Sequence, residues 1–474
     1  MPSELCFTSA RELAAMIRAR AVSAREVMQA CLEQIARLNP TVNAIVARLP
    51  DEQCLALAED ADSRMASGAP LGPLHGLPVA FKDAEPATGF PFTRGSRIFK
   101  DDRPAADSVI VERLRLAGVI PVGKTNVSEF TMGSHTYNEV YGTTLNPWDP
   151  SRSAGGSSGG AAAAVASGML PLADGSDLGG SLRNPASFNN LVALRPTVGL
   201  VPNAPVAFPL IEFLAKGPLA RSVDDAAFML SVMAGADARD PRTWPSEPEL
   251  FARLAARSAR GVRVAWCPDL GGLPLDRRVR TVVDRQRGIF TALGCRVEDA
   301  APDLRDADDV FMTLRSWMSA HTLGPLLATH RELMKPEAIW QIEAGLRVTA
   351  SALARAFRLH AELLERMRVF HEGFDFIVCA VSQVPPFDAR IHWPDVVDGQ
   401  PMEHYIAWMR STYWISTILA PALSVPAGFT DDGLPVGIQI VGRMRDDVAV
   451  LQLGSAFEAA TRHGLRHPPI ATAG

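Results

Sequence analysis

The sequence predicts an α/β fold, a sheet covered by helices and organised as one large unit. Three observations carry this. From residue 71 onward, strand-like runs alternate with helical periods to the end of the chain, with no internal repeat or low-complexity tail. Over 474 residues, 47% are hydrophobic and 21% charged, enough apolar side chain to bury a large core. A glycine- and serine-rich stretch, residues 146–202, lies inside the alternation rather than at a terminus.

The composition also excludes function classes. A formal net charge of −5 offers no basic field for a nucleic-acid backbone. Cys6, Cys31, Cys54, Cys267, Cys295 and Cys379 are scattered, without a CxxC pair or a Cys/His cluster. They read as reduced thiols of a cytoplasmic protein, with no metal site. No apolar run is long enough for a membrane span. The start MPSELCFTSARELAAM lacks the charged opening and apolar stretch of a secretory signal.

Residues 1–67 read as a helical layer. Thr8 or Ser9 caps a helix through Ile17, and Ser23 caps a second whose Val27, Met28, Cys31 and Ile35 fall near period 3.6. Asn39-Pro40 punctuates its end, and a third helix spans 51–67. In LGPLHGLPVAFKD (71–83), Leu77, Val79 and Phe81 alternate as in a strand, with Lys82 at its end. A strand-end lysine is commonly a solvated charge. Flanked by Val79, Ala80 and Phe81 it can instead be desolvated, which favours the neutral, basic amine. Residues 107–117 form an amphipathic helix ended by Gly118. The run from Gly118 to Thr125 fits the phosphate-loop pattern GxxxxGK[ST], but a helix precedes it and its variable positions, Val-Ile-Pro-Val, are strand-like. That excludes a phosphate cradle.

Within 146–202, two glycine/serine clusters (155–160 and 175–181) flank an alanine-rich helix over 159–166 and a strand over 169–173. Glycine lets backbone N–H groups approach a bound atom, and serine offers a nucleophile or proton carrier. This is the expected active site, with GSDLGGS (175–181) as a loop. Gly155-Gly-Ser157-Ser-Gly159 also fits the nucleophile elbow G-x-S-x-G, yet the Pro-, Asp- and Ser-rich 146–153 supplies no strand to lead into it. Ser222 or Asp224 then caps a helix through Met233. Strands follow at 262–266, 296–299, 374–380, 423–427 and 436–441, and helices at 276–293, 446–461 and through much of 307–370.

These residues resemble the amidase signature family. The resemblance rests on GLPVAFKD (76–83), AGVIPVGKTNVSEF (117–130), GTTLNP (142–147), GGSSGG (155–160), GSDLGGSLRNPA (175–186) and PALSVPAGFTDDGLPVGIQIVG (421–442). It implies one α/β/α domain over 1–474, with a signature core at 71–235, the rest of the sheet and the pocket helices at 236–474, and a mixed sheet of about eleven strands. It also implies amide hydrolysis without metal or organic cofactor. By position, the family's catalytic lysine falls on Lys82, its bridging serine, held on a cis peptide bond, on Ser157, and its acyl-accepting serine on Ser181.

In the mechanism so implied, Ser181 attacks the carbonyl while Ser157 and Lys82 relay the proton to the leaving nitrogen. The N–H groups of Leu178, Gly179, Gly180 and Ser181 line the oxyanion hole. Asp177 is expected to hold the loop through backbone N–H groups and Ser158 to cap the following helix. Arg183 is expected to form an internal ion pair or, alternatively, to meet a substrate carboxylate. Two positions depart from the family pattern: Ala154 replaces a proline often found there, and Asn189-Asn190 replaces a Cys-Gly.

Trp317, Trp340, Trp393, Trp408 and Trp414 are candidates to line an apolar pocket, pointing to a hydrophobic or aromatic small-molecule amide as substrate. A homodimer is compatible with this reading. The alternatives are a glutaminase component of a tRNA-dependent amidotransferase, whose RYDG-type element is missing from 311–365, and a catalytically silent binding protein on the same scaffold. An α/β-hydrolase would instead need a histidine such as His321 or His392.

Overall fold

In the computed structural model, which describes residues 2–205, 208 and 213–472, capping chemistry starts the N-terminal helices where the sequence places it. Ser9 accepts from Glu12 N–H to begin Ala10–Arg18, and Ser23 with Glu26 forms a reciprocal capping box at Ala24–Val42. Pro40 does not stop that helix. It fits the last turn, and Asn43 ends it in the left-handed conformation (φ 54°). A short helix not expected from the sequence, Pro2–Phe7, precedes both.

Thirteen strands follow in chain order among the described residues. They are β1 (Ile45–Val46), β2 (Pro78–Lys82), β3 (Ile120–Thr125), β4 (Leu172–Asp177), β5 (Val192–Arg195), β6 (Ala215–Ala220) and β7 (Arg263–Trp266). Then come β8 (Arg296–Asp299), β9 (Phe376–Ala380), β10 (Val396–Val397), β11 (Gln400–Pro401), β12 (Ala422–Phe429) and β13 (Pro435–Val441). Eight form a mixed sheet in the order β4-β6-β5-β12-β13-β9-β7-β8, parallel only at its β9-β7-β8 end. A three-stranded sheet, β1-β3-β2, sets β2 beside the β4 edge, and β10 with β11 makes a separate ribbon. The expected eleven-stranded sheet is therefore eight strands extended by three. The seam carries no strand ladder: Lys82 N–H donates to the Asp174 carboxylate (3.1 and 3.3 Å).

Strand alternation supplies both faces of the main sheet with core. Leu172, Leu194 and Ala220 join the apolar cluster under helices Val223–Met233 and Asp447–Thr461. Their neighbours Ala173, Ala193 and Leu219 join the cluster of the alanine-rich helix Gly159–Ala166 on the other face. That helix is closely held because Gly160 has no Cβ, which would lie 2.3 Å from Asn126 N.

The structure corrects several boundaries. Residues 175–177, expected in a loop, finish β4, because all six of its residues are buried and each pairs with β6. The helix expected over 276–293 is two, Arg277–Asp284 and Arg287–Ala292. Strands β1, β5 and β6 and the helix Arg183–Phe188 were not anticipated. Gly123-Lys124-Thr125 of the phosphate-loop match lies inside the buried strand β3, paired with β1 and β2. All six cysteines are buried and free. No described helix is long and apolar enough to cross a membrane.

Candidate active site

Every residue of β2 is buried, so the strand carries Lys82 into the interior rather than to solvent. Its Nζ meets three hydroxyls: Ser157 Oγ at 2.9 Å, Ser158 Oγ at 2.8 Å and Ser176 Oγ at 2.8 Å. Among the described residues, no carboxylate is in ion-pair contact with it. Asp174 is turned instead to the Lys82 backbone N–H. Burial therefore dominates and pulls the Lys82 ammonium down to about 7, against the pull of Asp174, Glu85 and Asp177. Burial likewise pushes the Asp174 carboxyl up to about 6. A lysine held this way can accept a proton near neutral pH and return it.

Ser157 and Ser158 lie on the turn that enters helix Gly159–Ala166. No strand precedes them; only isolated bridges at Arg152 and Ser153 do, which removes the context a nucleophile elbow needs. The Gly156–Ser157 peptide bond is cis. The segment 134–136 clamps this turn. Ser134 Oγ donates to Gly156 C=O, Thr136 N–H to Gly155 C=O (3.0 Å), and Gly159 N–H to Thr136 Oγ1 (3.0 Å). Ser158 occupies the helix N-cap but its hydroxyl does not cap; it receives Lys82 Nζ instead, because the chain aims it at the β2–β4 seam.

Ser181 follows β4 and stands at the wall of a cavity of about 500 Å³, 8% exposed. Ser158 N–H donates to its carbonyl at 3.3 Å, which ties the two serine clusters together. Asp177 organises the turn between β4 and Ser181. Its carboxylate accepts from Gly180 N–H (2.7 Å), Leu182 N–H (3.2 Å) and the Nε and Nη2 groups of Arg183 (3.0 Å each). Both side chains are fully buried, so Arg183 faces no substrate. Burial raises the Asp177 carboxyl, but Arg183, Arg195 and the Leu182 N–H together outweigh it and hold the group down to about 2. Breaking such a buried pair typically costs about 3–5 kcal/mol.

Of the four N–H groups expected in the oxyanion hole, Gly180 is thus taken by Asp177. Those of Leu178, Gly179 and Ser181 have no acceptor among the described residues. Ser176 was not singled out from the sequence. Strand alternation is the signal that finds it: Asp174 and Ser176 share the β4 face turned to Lys82, while Asp177 faces away. The two departures from the family pattern meet, since Asn189 Nδ2 donates to Ala154 C=O at 2.8 Å.

The cavity is walled by Phe130, Met132, Phe311, Met318, Ile406 and Met409, with Glu85, Arg94, Lys216 and Arg315 as its charged residues. None of the five candidate tryptophans lines it. Trp408 is core, packed against Phe188 and Phe387, and Trp414 donates to Asp308 (3.1 Å). Trp317 packs on Phe208. Among the described residues, no histidine bonds Ser157 or Ser181: His321 meets the Trp317 carbonyl and His392 meets Glu337.

Known proteins are similar to this chain over nearly its whole length. The sequence model of the Amidase family matches residues 26–451. An acylamidase of Rhodococcus erythropolis is 34% identical over 468 residues, covering 96% of each chain. A glutamyl-tRNA(Gln) amidotransferase subunit of Cyanothece sp. is 33% identical over 491 residues, covering 98% of this chain and 100% of the relative. The crystal structure of a bacterial aryl acylamidase of the amidase signature family superposes with a TM-score of 0.92 at 28% identity, over 99% of both chains. The chain therefore belongs to the amidase signature family, hydrolases that act on amide bonds.

Proposed function

We propose that this amidase hydrolyses small carboxamides or N-substituted amides with a hydrophobic or aromatic portion, through an acyl-enzyme on Ser181. The observation that carries the reading is the 2.9 Å contact between buried Lys82 Nζ and Ser157 Oγ, beside a serine on an apolar cavity. An amide is a weak electrophile and an amine a poor leaving group, so the site must activate the nucleophile, stabilise an oxyanion and protonate nitrogen.

Ser181 Oγ attacks the carbonyl carbon as Ser157 takes its proton and passes its own to neutral Lys82. The oxyanion forms against the N–H groups of Leu178, Gly179 and Ser181. The relay then reverses, Ser157 protonates the nitrogen, and the C–N bond breaks. Water enters along the same relay to release the carboxylate. Ser158 and Ser176 hold the Lys82 amine in place. The apolar walls favour an aryl or alkyl group, in keeping with the acylamidase relatives.

The amidotransferase relatives support a second reading, a glutaminase that works within a complex. One experiment separates the two. Intact mass after phenylmethanesulfonyl fluoride, for wild type and Ser181→Ala, is combined with product release from a panel of anilides, alkyl amides and glutamine. A single adduct lost in Ser181→Ala, with release from anilides or alkyl amides, is expected. Turnover of glutamine alone favours the glutaminase of a complex. Neither adduct nor turnover favours the silent scaffold.

A further inference from the structure

Three of the four charged residues on the cavity wall are cations, and two of these are neutralised. Lys216 Nζ pairs with Glu85 at 2.7 Å, and Arg94 with Asp102 at 3.0 Å. Arg315 is not. It projects from helix Ala307–His330, is 8% exposed, and gives one Nη to Gln341 Oε1 and the other to Tyr405 OH (2.6 Å). Both acceptors are neutral, and no described carboxylate lies within ion-pair distance of the guanidinium. Glu337, on the same helix as Gln341, is turned to Tyr137 and His392. Arg195, also buried without a described carboxylate in contact, gives both Nη groups to the carbonyls of Asp177, Phe213 and Ser416 and does not line the cavity.

A guanidinium has five N–H donors in a rigid fork that suits a carboxylate. Buried charge is ordinarily paired, because desolvation is otherwise uncompensated. Arg315 lines the same cavity as Ser181, so an anion bound there would supply the missing charge. Gln341 and Tyr405 each hold one Nη and so fix the guanidinium, and the Tyr405 and Phe311 rings flank it at 5.5 and 6.0 Å.

We propose that Arg315 is a carboxylate-binding subsite, so that the preferred substrates are amides carrying a second, ionised carboxylate remote from the scissile bond. This rests on the Ser181 amidase reading and names its substrate class. The carboxylate can belong to the acyl part or to the leaving amine, and matched substrates distinguish the two.

The test measures kcat/KM by aniline release for two pairs. 4-Acetamidobenzoate is set against neutral 4-acetamidoacetophenone, and succinic monoanilide against neutral 4-oxopentanoic anilide. In the wild type, the charged member of at least one pair is expected to win by about tenfold to a hundredfold, the range of a hydrogen-bonded charge. No preference for charge in either pair overturns the proposal. In Arg315→Met, the charged member should lose about tenfold more than its neutral partner, and Arg315→Lys should retain part of the preference. Equal losses on both members overturn it. Should the wild type cleave none of the four, the amidase reading is judged by the wider amide panel, and the subsite by melting temperature. A rise with 4-acetamidobenzoate in the wild type but not in Arg315→Met sustains the subsite; no rise overturns it.

Discussion

A lysine amine in water titrates near 10.4, so at neutral pH it is almost wholly protonated and cannot take a proton from serine. Lys82 differs because its charge is desolvated and its contacts are hydroxyls. With its pKa pulled down to about 7, the fraction in the basic form rises as pH rises through that value. The kcat/KM profile should therefore climb on an acid limb centred near 7. Asp174 is among the charges that hold the lysine up, so Asp174→Asn should move that limb to lower pH. A pH–rate series on both proteins checks this. A limb that stays in place would mean that another group titrates.

The turn from β4 into helix Arg183–Phe188 leaves no room for change at its glycine. Gly180 sits at φ 131°, and a Cβ there would lie 2.4 Å from Thr412 Oγ1. Both the backbone conformation and the space therefore exclude a side chain. Gly180→Ala should displace the N–H groups on either side and lower kcat by about a hundredfold or more, the scale of a lost oxyanion donor. Gly288 in helix Arg287–Ala292 has open space at its Cβ and an ordinary φ, so Gly288→Ala should leave kcat within about twofold and raise helix stability by up to about 1 kcal/mol. Steady-state kinetics on the two variants tests whether the turn, rather than alanine substitution as such, is responsible.

Across the whole molecule, the N-terminal helices and the helix Asp447–Thr461 share one core. Leu13 and Ile17 lie in the same apolar cluster as Leu453 and Phe457. The Asp225 carboxylate accepts the N–H groups of Ala10 and Arg11 (3.0 Å each), so the helix Ala10–Arg18, besides its Ser9 cap, is tied to residue 225. Unfolding should accordingly be one cooperative transition, read by calorimetry as agreement between the calorimetric and van't Hoff enthalpies. Early, separate loss of residues 1–67 would contradict that.

What the sequence by itself determined is local. Ser9 and Ser23 start their helices, and strand alternation at Val79 and Phe81 marks β2, because capping and side-chain period act over a few residues. The membership in a family with short, steric motifs was equally legible, since glycine and serine clusters state what may approach the backbone. Tertiary structure decided the rest. Lys82 had two readings from its flanks; only the joining of β2 to β4 and to the turn before Gly159 buried it among Ser157, Ser158 and Ser176, 75 to 94 residues away in the chain. Distance in sequence also hid the strand end at Asp177, which needed β6 as partner. It also hid the cavity wall, where Phe311 and Met409 do what the tryptophans were expected to do. Burial and pairing are set by which segments meet, and that is a property of the packed chain.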